Sequence, residues 1–180
     1  SELMLTDWAQ GMVSMCRTRV LPSSLVRHTL MDFENPDHSG KFDLVVSSCA
    51  LQWLRDPDSF GDKLRELVAL NGRTVHAIPV PGMLCELRES FILAGGAWPD
   101  LRYRNAEEWR NILENSGFTL AECFSRDYRV YYSTPSQALR AVKGIGASLT
   151  TQGSTSLNSQ AVMRRALDIY GEIFGTSRGV

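Results

Sequence analysis

The run at residues 42–47, FDLVVS, constrains the fold more than any other stretch, because it is rich in β-branched and apolar residues and stops at two serines, Ser47 and Ser48. Strands of this kind are typical of a parallel sheet that is covered on both faces. The chain then continues directly into a second short run, residues 49–53. Since ligands of open α/β sheets bind beyond the carboxyl ends of the strands, we expect residues 50–53 to begin the wall of a pocket.

Strand-like and helix-like segments alternate through the rest of the sequence. Apolar runs predict strands at residues 3–6, 26–31, 42–47 and 73–80, and one long strand or a hairpin at 118–133. Helical spacing predicts helices at residues 8–17, 85–94, 134–143 and 161–174. It also predicts a helix that carries an apolar stripe at Phe60, Leu64, Leu67 and Val68 and ends at Asn71-Gly72, and another helix between Asn105 and Gly117. The alternation predicts an α/β fold whose parallel sheet is covered on both sides.

Composition narrows the class of protein. A chain of 180 residues is long enough for a single domain with a real core, so residues 1–180 are predicted to be one domain. A net charge of -1 argues against a general binder of nucleic acid or membrane surfaces, and no apolar run is long enough to span a bilayer. The scattered cysteines predict no metal site but reduced thiols, mostly in the core, in a cytoplasmic protein; they are Cys16, Cys49, Cys85 and Cys123.

Polar residues follow three of the predicted strands. Asp7 and Asp32 each come directly after a strand, and Ser47-Ser48 ends the third. A carboxylate in such a place can accept both hydroxyls of a ribose, and a second can accept the amine of an adenine ring. Small serines let a ligand lie against the backbone. The alternative is that each acidic residue caps the helix that follows it.

Several phrases resemble one enzyme class. The stretch FDLVVSSCALQWLRDP is similar to the segment that follows the nucleotide-binding part of S-adenosylmethionine-dependent methyltransferases of the seven-strand class. The phrases ALQW, ELRESF and ALRAVKGIGAS are the most specific, and they resemble the malonyl-acyl-carrier-protein O-methyltransferases of biotin synthesis. The resemblance covers nearly the whole chain. It implies a Rossmann-like sheet with helices on both faces, with a cofactor half at about residues 1–80 and an acceptor and carrier-protein half at about 81–180.

The resemblance also implies roles for individual residues. S-adenosylmethionine would bind with Asp7 at the ribose, Asp32 at the adenine amine, Phe33 beside the ring, and Ser47 and Ser48 near the methionine part. Gln52 and Trp53 would line the pocket where the methyl group meets its acceptor, the free carboxylate of malonyl-acyl-carrier protein.

Arginines and lysines are the candidates for recognising that acceptor. Arg88 is the first candidate for a fork to the carboxylate and Arg129 the second. The alternative for either is a surface salt bridge, which Glu86 and Glu89 favour for Arg88. A basic docking surface for the acidic carrier protein would include Arg140 and Lys143, with Arg164 and Arg165 on the last helix; the alternative is that these are solvated helix faces.

The sequence departs from the class in one important respect. The glycine-rich GxGxG loop and the strand before it, expected ahead of Leu3, are absent, so we expect a sheet without its first strand, and possibly without its last, in a fragment of a longer chain. The pair Gly144 and Gly146 follows a helix, not a strand, and is interpreted as a helix end and not as a dinucleotide fingerprint. Two alternatives stay open: another small-molecule methyltransferase of the same fold, or a non-catalytic binding or assembly factor.

Overall fold

The computed structural model describes residues 2–98, 103–144 and 159–180. The chain divides into two compact units, one of Ser1–Pro79 with Arg104–Cys123 and the other of Val80–Tyr103 with Phe124–Val180. The first unit holds all the strands of the described residues. The prediction of a single domain stays a prediction.

Two pairs of parallel strands form the first unit's sheet structure. β1 (Leu3–Asp7) pairs with β2 (Val26–Leu30), and β3 (Phe42–Ser48) pairs with β4 (Val68–Ala77). Within the described residues the two pairs are separate two-stranded sheets. Parallel pairs joined by helical crossovers confirm the predicted α/β class.

The first unit has three helices besides two short 3-10 helices. These helices are α1 (Gln10–Arg19), α2 (Phe60–Leu67) and α4 (Ala106–Asn115), and the 3-10 helices are Leu51–Trp53 and Pro57–Ser59. The predicted stripe is buried, with its last residue, Val68, at the start of β4, and Leu51, Trp109 and Ile112 belong to the same core. In α1 the buried residue is Val13, and Met15 is exposed.

The β3–β4 pair differs from its prediction in two ways. One face packs on the core through Val45 and Ile78, but the alternate positions Leu44 and Val46 are 55% and 63% exposed. The expected burial of both faces is therefore wrong for these residues, because side chains alternate along a strand and the described helices cover one face. The predicted helix end at Asn71-Gly72 is also wrong: α2 ends at Leu67, and the pair lies inside β4.

Asn71 and Gly72 instead mark an irregularity in the pairing. The register passes from Phe42↔Val68 to Leu44↔Arg73, so extra residues of β4 loop out between these partners. Asn71 takes a left-handed backbone with φ of 64°, which asparagine tolerates better than most residues. A Cβ on Gly72 would lie 2.7 Å from a methyl of Val68. The Asn71-Gly72 pair, which predicted a helix end, thus lies at a bulge in β4.

Within the part of the chain that the structure describes, the second unit contains three helices. They are α3 (Cys85–Leu93), α5 (Pro135–Gly144) and α6 (Gln160–Phe174), all close to their predicted positions. Their shared core contains Leu87, Phe91, Leu139, Val142 and Ala166. The region of Gly146 lies outside the described residues.

The predicted long strand or hairpin at residues 118–133 is wrong, since the structure forms no strand there. Its aromatic and β-branched residues are mostly exposed, with Phe124 at 67% and Tyr128 at 83%. Only Tyr132 makes strand-like backbone hydrogen bonds, in both directions with Val180. A strand needs a neighbour for its backbone groups, and a sequence pattern does not supply one.

Two further expectations concern the burial of the cysteines and the presence of a helix that could span a bilayer. All four thiols are free, but Cys49, Cys85 and Cys123 are exposed, so their expected place in the core is wrong. No helix among residues 2–98, 103–144 and 159–180 is long and apolar enough to cross a bilayer.

Candidate functional site

Asp7 and Asp32 lie at the carboxyl ends of neighbouring parallel strands. Oδ1 of Asp7 accepts a hydrogen bond from the backbone N–H of Ala9 at 2.8 Å, and Oδ1 of Asp32 accepts one from that of Glu34 at 2.9 Å. These turns orient each carboxylate. Neither carboxylate caps a helix, because α1 begins after Ala9 without a side-chain cap, and within the described residues β2 leads into a loop. The helix-capping alternative therefore fails for both residues.

Arg55 joins the loop after β2 to the loop after β3. Its guanidinium lies 2.9 Å from Oδ2 of Asp32 through Nη2 and 2.8 Å from Oε2 of Glu34 through Nε. The other oxygen of Glu34, Oε1, accepts the backbone N–H groups of Arg55 and Asp56, at 3.0 and 2.8 Å. The two strand pairs therefore present these two loops side by side.

Glu34 is buried, yet it is held as a carboxylate. Burial by itself would raise the pKa of Glu34, but the hydrogen bonds from Arg55 and Asp56 outweigh burial and hold the pKa below its ordinary value. Sequence reasoning missed Glu34 and Arg55. The available signal was only an acidic residue and a basic residue in two predicted loops, which does not show that the loops meet.

Ser47 meets a residue that was not predicted for the site. Its Oγ lies 2.8 Å from Nδ1 of His76, its partner in the β3–β4 register. Burial lowers the pKa of His76 to about 4, so the ring is neutral at neutral pH. Ser48 ends the strand beside Ala77 and is exposed. Sequence reasoning did not predict a role for His76, because strand register cannot be derived from spacing alone.

Gln52 and Trp53 lie in the 3-10 helix after β3. The chain reaches that helix through Cys49, which has a left-handed backbone with φ of 50°. Nε2 of Gln52 donates to the carbonyl of Cys49 at 2.7 Å, so Oε1 is the atom that is buried without a hydrogen-bond partner in the described structure. Trp53 is 39% exposed. Trp53 thus offers a ligand an exposed aromatic surface.

Phe33 packs against the core of the first unit. Its ring contacts that of Phe60, with centroids 5.2 Å apart.

A cavity of about 180 Å³ lies between β1 and α1 and includes Asp7 among its lining residues. The other lining residues are Leu5, Thr6, Met12, Val13 and Cys16.

The remaining predicted residues belong to the second unit. Arg88 on α3 is exposed and forms no ion pair with a described residue, and Arg129 is exposed in the segment before α5. Arg140 and Lys143 are exposed on α5, whose buried residues are Ala138, Leu139 and Val142. The surface salt bridge considered for Arg88 is therefore not formed with Glu86 or Glu89.

Comparison with known proteins identifies the family of this chain. The family described as "Methyltransferase domain" matches residues 1–76. The malonyl-[acyl-carrier protein] O-methyltransferase of Geobacter sulfurreducens is 30% identical over 97% of this chain and 68% of its own length. The chain belongs to the S-adenosylmethionine-dependent methyltransferase family.

Other relatives in this methyltransferase family differ in what their names describe. The malonyl-[acyl-carrier protein] O-methyltransferase of Laribacter hongkongensis is 28% identical over 82% of the chain and 52% of its own length. The mitochondrial arginine-hydroxylase NDUFAF5 of Danio rerio is 27% identical over 98% of the chain and 56% of its own length. The chain thus spans between about half and two thirds of these relatives.

The residues of the first unit fit the methyl donor of the methyltransferase family. Oδ2 of Asp7 has no partner among the described residues, and each oxygen of Asp32 keeps a free lone pair beside its present partner. These acceptors suit ribose hydroxyls and an adenine amine. Among the described residues no cluster of histidine, cysteine, aspartate or glutamate could hold a metal ion.

Proposed function

We propose that the protein transfers a methyl group from S-adenosylmethionine to the free carboxylate of malonyl-acyl-carrier protein, in biotin synthesis. The observation that carries this proposal is the 30% identity to the malonyl-[acyl-carrier protein] O-methyltransferase of Geobacter sulfurreducens, which extends over 97% of the chain. The four strands would be part of the seven-strand sheet of this class. The protein would be cytoplasmic, in keeping with the proposed pathway.

The loops after β1, β2 and β3 would bind the methyl donor. Asp7 would accept the ribose hydroxyls and Asp32 the adenine amine, with Phe33 beside the ring. Ser47 and Ser48 would lie near the methionine part. The turn at Ala9 and the contacts of Arg55 support this assignment, because they hold the two carboxylates in fixed orientations before a ligand arrives.

The reaction itself would need little acid or base catalysis. A malonyl carboxylate is ionised near neutral pH, so one of its oxygens is already a nucleophile. The donor supplies an electrophilic methyl group on a sulfonium, and its leaving group is a neutral thioether. The protein's contribution would be to position the two reactants in line and to exclude water. Gln52 and Trp53 would line the place where the reactants meet.

Residues of the second unit would recognise the acceptor. Arg88 or Arg129 would pair with the malonyl carboxylate, because a guanidinium can form two parallel hydrogen bonds to it. Arg140 and Lys143 would attract the acidic carrier protein. Their exposure on α5 supports that role, since neither side chain is used in an ion pair within the described residues.

The first test is a calorimetric titration with S-adenosylhomocysteine, followed by a methyl-transfer assay with malonyl-acyl-carrier protein. We expect micromolar binding, loss of binding in Asp7→Asn, and methyl ester formation. Asp37→Asn is the matched control, because Asp37 is an exposed loop carboxylate outside the proposed site. A folded protein that does not bind S-adenosylhomocysteine would contradict the proposal.

A second candidate function follows from the similarity to the mitochondrial arginine-hydroxylase NDUFAF5 of Danio rerio, at 27% identity over 98% of the chain. The protein would then bind S-adenosylmethionine without methylating a carrier-bound carboxylate. Tight binding of S-adenosylhomocysteine together with no transfer to malonyl-acyl-carrier protein would favour this candidate. Transfer to a different small acid would instead favour another methyltransferase of the same fold.

A further inference from the structure

Ser47 and His76 form a hydrogen-bonded pair across two parallel strands. Their Cα atoms are register partners at the carboxyl ends of β3 and β4, and Oγ of Ser47 lies 2.8 Å from Nδ1 of His76. The pair therefore occupies the edge of the sheet where ligands of open α/β folds bind. The distance alone leaves two arrangements, because either partner can donate the hydrogen.

The surroundings of the ring choose between these arrangements. His76 is neutral, so only one of its nitrogens carries a hydrogen. Nε2 is buried and has no hydrogen-bond partner in the described structure. The ring of Phe60 stands nearly perpendicular to the imidazole, with centroids 5.5 Å apart. The imidazole thus has an apolar neighbour, and its Nε2 is buried.

With its hydrogen on Nδ1 the ring donates to Oγ of Ser47 and leaves only a lone pair unpaired, whereas a hydrogen on Nε2 would be a buried donor without an acceptor. The hydrogen therefore belongs on Nδ1, which donates it to Oγ of Ser47. Because a serine hydroxyl has one hydrogen of its own, that hydrogen must then point away from His76. The strand pair consequently presents Ser47 as a donor.

We propose that His76 is a positioning residue that holds Ser47 as a hydrogen-bond donor to an oxygen of the bound ligand. The inference rests on the proposed function and deepens it: the oxygen belongs to the α-carboxylate of the methyl donor. A carboxylate accepts but does not donate hydrogen bonds, so it requires the orientation that His76 imposes. A charge-assisted hydrogen bond of this kind is about twice as strong as a neutral one.

The tautomer can be measured without any variant. We would record the ¹⁵N resonances of the imidazole of His76 in the ligand-free protein between about pH 5.5 and 8. The expected result is a neutral ring with hydrogen on Nδ1 over this whole range. A hydrogen on Nε2 would overturn the proposal.

The ligand contact is tested by calorimetry with S-adenosylhomocysteine and with 5′-methylthioadenosine, which lacks the carboxylate. Ser47→Ala and His76→Phe should each weaken binding of S-adenosylhomocysteine by about tenfold and leave 5′-methylthioadenosine unaffected. His76→Asn should restore most of the affinity, because its amide offers a donor near the position of Nδ1.

The outcomes separate the two proposals. Wild-type protein that binds neither compound would refute the proposed function, and with it this contact. Wild-type protein that binds both, with no change in either loss variant, would refute the role of Ser47 alone. Equal losses in His76→Asn and His76→Phe would show a merely structural histidine.

Discussion

Glu34 and Arg55 show how a single buried carboxylate can hold two loops together. Glu34 accepts three hydrogen bonds from Arg55 and Asp56, and Arg55 also donates a hydrogen bond to Asp32. An unpaired buried charge is costly, so removing Arg55 would leave the buried carboxylate of Glu34 without its charged partner, whereas Arg55 itself is largely exposed. The orientation of Asp32 therefore depends on a residue that does not itself need to contact a ligand.

Glu34→Gln should lower the free energy of unfolding by about 1–3 kcal/mol at neutral pH, because an amide NH₂ would face the Nε–H of Arg55. The pKa of Glu34 is lowered in the folded state, so its contribution is present above its ordinary value of 4.5 and is lost as pH falls through the folded pKa. The difference between variant and wild type should shrink at low pH. Urea titrations at several pH values measure this, with the exposed Glu66→Gln as control; a pH-independent difference would contradict it.

His76 should make the protein sensitive to mild acid. Its folded pKa of about 4 lies below its ordinary value of 6.5, so the unfolded chain binds a proton first and stability falls as pH drops below about 6.5. Relative to its value at pH 7, the free energy of unfolding should fall by roughly 2 kcal/mol more in wild type than in His76→Asn at pH 5. Thermal or urea unfolding at both pH values provides the measurement. An identical pH dependence in the two proteins would show that the ring titrates normally.

At the scale of helices and strands, the sequence predicted an element correctly where neighbouring residues supply the hydrogen bonds that stabilise it. The helix predicted between Asn105 and Gly117 is α4, and both hydrogen bonds of its capping box form between Asn105 and Glu108, at 3.0 and 2.7 Å. The segment at residues 118–133 has a strand's composition but no partner strand among the described residues. Sequence thus predicts elements that are stabilised locally better than those that need a distant neighbour.

Asn105→Ala should therefore destabilise the first unit by about 1 kcal/mol, because it removes the acceptor for the N–H of Glu108. Trp109 and Ile112 on the same helix belong to the core, so fraying of α4 also loosens that core. Urea unfolding followed by tryptophan fluorescence is the measurement. Asn111→Ala, exposed within the same helix, is the matched control and should be neutral or slightly stabilising. Equal effects of the two substitutions would contradict the cap's role.

At the scale of the whole molecule, the alternation of strands and helices was enough to predict an α/β fold and the edge where Asp7, Asp32 and Ser47 lie. It was not enough to predict which strands would pair, because pairing depends on contacts between residues far apart in sequence. The contacts of Arg55 and His76 were missed for the same reason. The assigned roles of the predicted site residues stay predictions until ligand binding is measured.

The proposed docking of a carrier protein is a property of the whole molecule, and it predicts a specific kinetic pattern. Replacing both Arg140 and Lys143 by glutamate should raise KM for malonyl-acyl-carrier protein by about tenfold at low ionic strength, with kcat little changed. The reason is that the two cations would attract the acidic partner without touching the reacting atoms. Added salt should reduce the difference between wild type and variant, since it screens exposed charges.

Malonyl-coenzyme A provides the decisive comparison for this double variant. It carries the same malonyl thioester on a phosphopantetheine arm but has no carrier protein, so any methylation of it should be unaffected by the two substitutions. Arg19→Glu together with Arg110→Glu, exposed charge reversals on α1 and α4 in the other unit, matches the change in net charge of the double variant. If the double variant and this control raise KM equally, long-range charge and not docking on α5 explains the effect. If the double variant slows both acceptors equally, Arg140 and Lys143 act on catalysis or stability, and the docking surface must lie elsewhere.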